Sequence, residues 1–100
     1  MTDVGCGPPD HAIDIGDGHR IVMVKWQHEI CGVNCWHLTA EGTWCVGWAP
    51  FSGSKWAAEF NGKISTWDVV QNEPLTMSPS LLCRACKDHG FIRDGRWVRA

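Results

Sequence analysis

The chain has no tyrosine and three phenylalanines, so its aromatic surface rests almost wholly on seven tryptophans. Each indole wants its body out of water and its ring nitrogen near an acceptor. A Trp-rich core is therefore the first reading, and an exposed aromatic patch that grips a partner is the second. An excess of positive charge is also missing: nine Lys and Arg face eleven Asp and Glu, for a formal charge of -2. That balance argues against a chain that coats nucleic acid or an anionic membrane, because such binding needs accumulated positive charge. No stretch approaches the roughly 18 apolar residues of a membrane span. The opening "MTDVGCGPPDHAIDIGDGHR" lacks a basic segment followed by an apolar run, so it does not read as a secretory signal, and an intracellular protein is expected. Internal repeats and low-complexity tracts are absent as well.

What is present fits one small domain: 100 residues, 44% hydrophobic and 20% charged. At this size the buried surface is modest, and a metal or disulfides would help offset chain entropy. In a reducing compartment, six cysteines point to metal ligands or buried thiols before a disulfide framework.

Local patterns predict mostly strands. Residues 1 to 18, rich in Gly, Pro and Asp, read as an irregular N-terminal arm, and residues 19 to 100 as the folded domain. Arg20 to His28 is the first expected strand. In "CWHLTAEGTWCVGW", Trp36, Leu38, Trp44, Val46 and Trp48 alternate on either side of a turn at Ala40 to Gly42, the pattern of a hairpin. "KWAAEFNGKISTWDVV" suggests a second hairpin about Asn61-Gly62, with a helix through "SKWAAEF" as the competing reading. Pro74 and Pro79 make "QNEPLTMSPSLL" a loop or edge segment. "FIRDGRWV" closes the chain as a small hairpin turning at Asp94-Gly95. The predicted class is mainly β, with a small β-rich α+β fold as its variant, built of short antiparallel hairpins held by a zinc site.

Two clusters carry the chemistry. "CGVNCWH" supplies Cys31, Cys35 and His37, and "CRACKDH" supplies Cys83, Cys86 and His89. Thiolates paired on tight turns can each provide half of a tetrahedral zinc site, and an intervening sheet can bring the halves together. Six candidates compete for four positions. Cys45, between Trp44 and Val46, reads as a small core residue.

Catalytic patterns are missing. Neither the H-x-E and P-C-x-x-C of zinc deaminases nor the H-E-x-x-H of zinc proteases occurs, and no thiol is singled out by a dedicated base, so no enzyme is predicted. His28-Glu29 reads as a surface pair at a strand end. The charge is uneven, however: Arg84, Lys87, Arg93, Arg96 and Arg99 face only Asp88 and Asp94 after residue 82. With Trp97 they form a candidate partner surface, for a protein first and for nucleic acid as the alternative.

"PLTMSPSLLCRACKDHGFIRDGRWV", with "CGVNCWH" and "WAAEFNG" upstream, resembles the signature of a family of small phage and bacterial proteins of unknown function, over roughly residues 30 to 98. The resemblance implies zinc binding, an origin in phages of actinobacteria, action in the host cytoplasm and a host or phage protein as partner. Carried over by position, it implies Cys31, Cys35, Cys86 and His89 as ligands, with Cys83 and His37 as alternates. The family's front cysteine pair is usually tighter than C-x3-C, which makes His37 the first alternate to Cys35.

Overall fold

The structure, a computed structural model, describes residues 7 to 100. Its first layer is an antiparallel sheet of β1 (Ile13–Gly16), β2 (His19–Trp26), β3 (Glu29–Leu38) and β4 (Trp44–Pro50), in that spatial order. A four-residue helix, α1 (Lys55–Ala58), leads to a two-stranded sheet of β5 (Asp68–Gln71) and β6 (Thr76–Ser78). The last sheet joins β7 (Leu81–Leu82), β8 (His89–Arg93) and β9 (Arg96–Arg99), again antiparallel. The mainly β class and its short hairpins are as predicted. No helix among the described residues is long and apolar enough to cross a membrane.

The core lies between the layers. Ile15, Ile21, Val33, Cys35 and Ala49 project from the four-stranded sheet onto Met77, Ile92 and Trp97 of the two smaller ones and Leu75 just before β6, with Phe51 at the junction. Side chains alternate along a strand, so the register that points Val33, Cys35 and His37 inward points Asn34, Trp36 and Leu38 outward. Trp44, Val46 and Trp48 lie opposite those outward residues on β4.

Several sequence expectations need correction. The first strand ends at Trp26, because Gln27 and His28 both take positive φ (50° and 65°) and form the two-residue turn to Glu29. Residues 13 to 16 of the expected irregular arm form β1, where Ile15 is only 1% exposed; residues 1 to 6 of that arm lie outside the described residues. Asn61 and Gly62 do adopt left-handed backbone, yet they follow α1 and join no hairpin. The helix wins because Ser54 caps it, its Oγ accepting from the Ala57 amide at 3.1 Å. The stretch expected as a loop or edge segment through Pro74 and Pro79 supplies β6 and β7, both edge strands of the smaller sheets, and buries Leu75 and Met77. The Asp94-Gly95 hairpin stands as predicted, with φ of 49° and 71° at the turn.

Candidate metal centre

Cross-strand pairing builds half of the site. His37 on β3 lies directly opposite Cys45 on β4, and both point inward. The other half is the turn after β7, where Cys83 and Cys86 sit on a tight loop. That loop is closed by the Lys87 amide donating to the Cys83 carbonyl at 2.7 Å and the Cys83 amide donating to the Asp88 carbonyl at 2.8 Å. Its geometry requires Lys87 at φ 62°, a left-handed position.

One ligand atom from each of His37, Cys45, Cys83 and Cys86 falls within 4.8 Å of all the others, so the four can hold a metal ion. The separations suit a small tetrahedral cation. Cys45 Sγ lies 4.0 Å from Cys83 Sγ and 3.9 Å from Cys86 Sγ. A tetrahedron with metal–sulfur bonds of about 2.3 Å has an edge of roughly 3.8 Å.

Electrostatics point the same way. The His37 pKa is lowered by burial, partly opposed by Asp88 and reinforced by His19, so the ring is neutral and keeps a lone pair for a metal at neutral pH. Its Nε2 is buried with no hydrogen-bond partner among the described residues, a costly state that a bound cation would relieve. Cys86 is pushed up to about 12, by desolvation first and then by Cys83 and Cys45, and burial also raises Cys45. For Cys83, burial acts upward but is outweighed by the backbone amides of Cys86 and Ala85 and by the neighbouring thiols, so its value is lowered. Three sulfurs this close cannot all ionise together unless a cation sits among them.

Of the residues proposed as ligands from the motifs, the structure gathers Cys86 and both alternates, Cys83 and His37. Cys31, Cys35 and His89 are placed elsewhere. Cys31 is the extra residue of a β-bulge: Val24 faces Gly32 and Lys25 faces Ile30, leaving Cys31 unpaired. Its side chain enters a cleft of about 290 Å³ with Val24, Trp26, Asn34, Trp48 and Trp56 on the outer side of the sheet. Six residues of strand separate it from His37, roughly 20 Å. Cys35 points inward but sits opposite Gly47 as part of the core, and burial pushes its thiol up to about 12. The His89 ring points away, with Nε2 2.8 Å from Ser80 Oγ. Cys45, read from sequence as a core residue, is the ligand candidate that reading missed.

The candidate partner surface is also revised. Arg84, Lys87, Arg93, Arg96 and Arg99 are exposed, but Trp97 is only 8% exposed and stacks on His19 at 3.8 Å between ring centroids. The Arg93 guanidinium already covers the Phe91 ring at 4.1 Å. Neither aromatic of the terminal hairpin is open to a partner's ring.

No family model, curated protein or solved structure matches the chain. The resemblance to the phage proteins is carried by the quoted motifs alone.

Proposed function

We propose that this chain is a small accessory module, of the phage type its motifs resemble, whose fold is clamped by a structural zinc and which binds another protein in the host cytoplasm. The convergence of His37, Cys45, Cys83 and Cys86 carries the reading. Soft thiolates with one imidazole favour zinc over hard cations such as magnesium. Four protein donors fill a tetrahedral shell, whereas a catalytic zinc keeps a position for water, which supports a structural role over an enzymatic one. A metal there would tie the β3–β4 hairpin to the turn after β7, joining the two halves of the chain.

The binding role is supported by the distribution of tryptophan. Trp26, Trp36, Trp44 and Trp48 lie on the outer side of the four-stranded sheet, half-buried, and Trp56 of α1 meets Trp48 edge to face at 5.3 Å. Four partly exposed indoles on one sheet face, with a fifth from α1 against them, have the composition of protein interfaces. Nucleic acid is the weaker reading, since the basic terminal hairpin offers no free stacking ring and the net charge is -2.

Metal analysis of protein purified without added zinc, followed by cobalt substitution, tests the clamp. One equivalent of zinc and the intense visible bands of tetrahedral cobalt–thiolate are expected; metal-free folded protein would overturn it. The face is tested with the purified protein as bait in host lysate, alongside Trp48→Ala and Trp56→Ala. A stoichiometric partner lost in both variants is expected, and a partner retained by both would move the surface elsewhere.

A further inference from the structure

Beside the four candidate ligands lies a part-buried polar chain that ligation itself does not use. His19, on β2 and only 4% exposed, has Nδ1 2.8 Å from the Asp17 carbonyl and Nε2 2.6 Å from Asp88 Oδ2. A carbonyl and a carboxylate both accept, so His19 donates from both ring nitrogens, and the ring stands fixed against the Trp97 face at an interplanar angle of 12°. The same Asp88 oxygen lies 3.8 Å from His37 Nδ1. Asp88 thus faces two imidazoles with one oxygen, and its carbonyl accepts from the Cys83 amide.

We propose that Asp88, held in place by His19, is the positioning residue of the metal centre: it keeps the proton of His37 on Nδ1 and so turns the unprotonated Nε2 toward the three sulfurs. The proposal rests on the metal reading above and goes beyond it, since neither Asp88 nor His19 is a ligand. Three observations converge. His37 Nδ1 has a carboxylate within ion-pair reach, and a carboxylate favours the N–H tautomer on the nitrogen it faces. The opposite nitrogen, Nε2, is the buried atom without a partner. Asp88 also belongs to the turn that supplies Cys83 and Cys86, while His19 belongs to the strand beside that of His37. One carboxylate therefore sets both the tautomer of one ligand and the docking of two others onto the sheet. Carboxylates that support a metal-bound imidazole in this way typically account for 10- to 100-fold in metal affinity.

The test is competition for zinc against a chromophoric chelator, with long-range nitrogen–proton NMR of the imidazoles in the zinc-loaded protein. In the unsubstituted protein His37 should show a protonated Nδ1 and a metal-shifted Nε2. Asp88→Asn should bind zinc 10- to 100-fold more weakly and weaken the Nδ1 proton signature of His37, and His19→Gln, whose amide still donates toward Asp88, should fall between the two. Wild-type affinity in Asp88→Asn, or metal on Nδ1 of His37 in the unsubstituted protein, overturns the positioning role. The second measurement decides the matter even if Asp88→Asn fails to fold. Absence of zinc binding by the unsubstituted protein would instead sink the metal reading itself, so the two failures are distinguishable.

Discussion

Replacing Cys45 by serine and, separately, Cys31 by alanine sets the geometry against the motif. Both cysteines are free and lie on adjacent strands of one sheet, yet only Cys45 Sγ stands within 4.0 Å of Cys83 and Cys86. The apparent zinc binding energy of small structural sites is about 10–16 kcal/mol, which matches or exceeds the roughly 5–15 kcal/mol that separates folded from unfolded domains. Removing one of four ligands should therefore cost enough to leave Cys45→Ser metal-free and largely unfolded at ambient temperature. Cys31 is 1% exposed, and its truncation removes one heavy atom from a packed bulge, a loss on the order of 1 kcal/mol. In a domain of this size that shifts the melting temperature by about 4–8 °C. Zinc content by mass spectrometry, with thermal melts before and after chelator, reads both effects. Cys31→Ala should keep one equivalent of zinc and a chelator-sensitive melt. A metal-free Cys31→Ala, or a Cys45→Ser that retains zinc and the parent melting temperature, would refute the assignment.

Further outcomes follow from the same geometry. His89→Ala should keep its zinc and lose at most about 1 kcal/mol, since its ring nitrogen reaches only Ser80 Oγ; loss of metal in this variant would place His89 back among the ligands. Lys87→Gly should stabilise the fold by up to about 1 kcal/mol, because glycine adopts φ 62° without strain and keeps the amide that donates to Cys83; a lowered melting temperature would contradict this. Gly32→Ala should be strongly destabilising, as the added carbon would meet the Trp48 ring at 2.4 Å and the Ala49 carbonyl oxygen at 2.6 Å; an unchanged melt would show that Trp48 does not lie across β3. Alkaline pH probes Cys31, whose thiol burial raises above its ordinary 9.0, with a contribution from Glu29 and a backbone bond opposing. A raised folded value means that the contribution is complete below pH 9 and is lost as pH rises through the folded value. The decline in stability above pH 9 should accordingly be shallower in Cys31→Ala than in the parent protein.

How far the site could be read from sequence turns on one piece of arithmetic. A turn at Ala40 to Gly42 makes paired positions sum to 82, and Trp36, Leu38, Trp44 and Val46 then share one face. The same register puts Cys45 opposite His37 on the other face, so the missed ligand candidate was implied by the predicted hairpin. Spacing left six candidates open and the resemblance favoured Cys31 and Cys35, as close cysteine pairs usually lie on turns that aim both thiols at one metal. Here they lie within a ten-residue strand interrupted by a bulge, which sends one thiol outward and leaves the other in the core. Nothing in "CGVNC" marks that bulge. The Gln27-His28 turn was equally hidden, since two-residue turns of positive φ normally announce themselves with asparagine or glycine. By contrast Asp94-Gly95 carries that signature and folds as read. The β6 and β7 strands read only as a loop or edge segment because proline signals loops, while their burial depends on contacts with distant β8.

The placement of tryptophan follows from the same economy. A chain of this size would be expected to spend its largest apolar side chains on the core. Only Trp97 is fully inside and Trp67 packs against the core, while the remaining five indoles lie on the outer face or beside it. A metal joining β3, β4 and the turn at Cys83 to Cys86 would make such an allocation affordable, because it supplies by coordination what a larger core would supply by area. Clamp and face are then coupled, and the coupling has a direction. Stripping the metal should abolish partner binding by loosening the sheet that carries the tryptophans, whereas Trp48→Ala and Trp56→Ala should abolish binding with zinc still in place. Binding that survives chelation would separate the two halves of the proposal, and binding retained by both tryptophan variants would return these indoles to a structural role in holding α1 against the sheet.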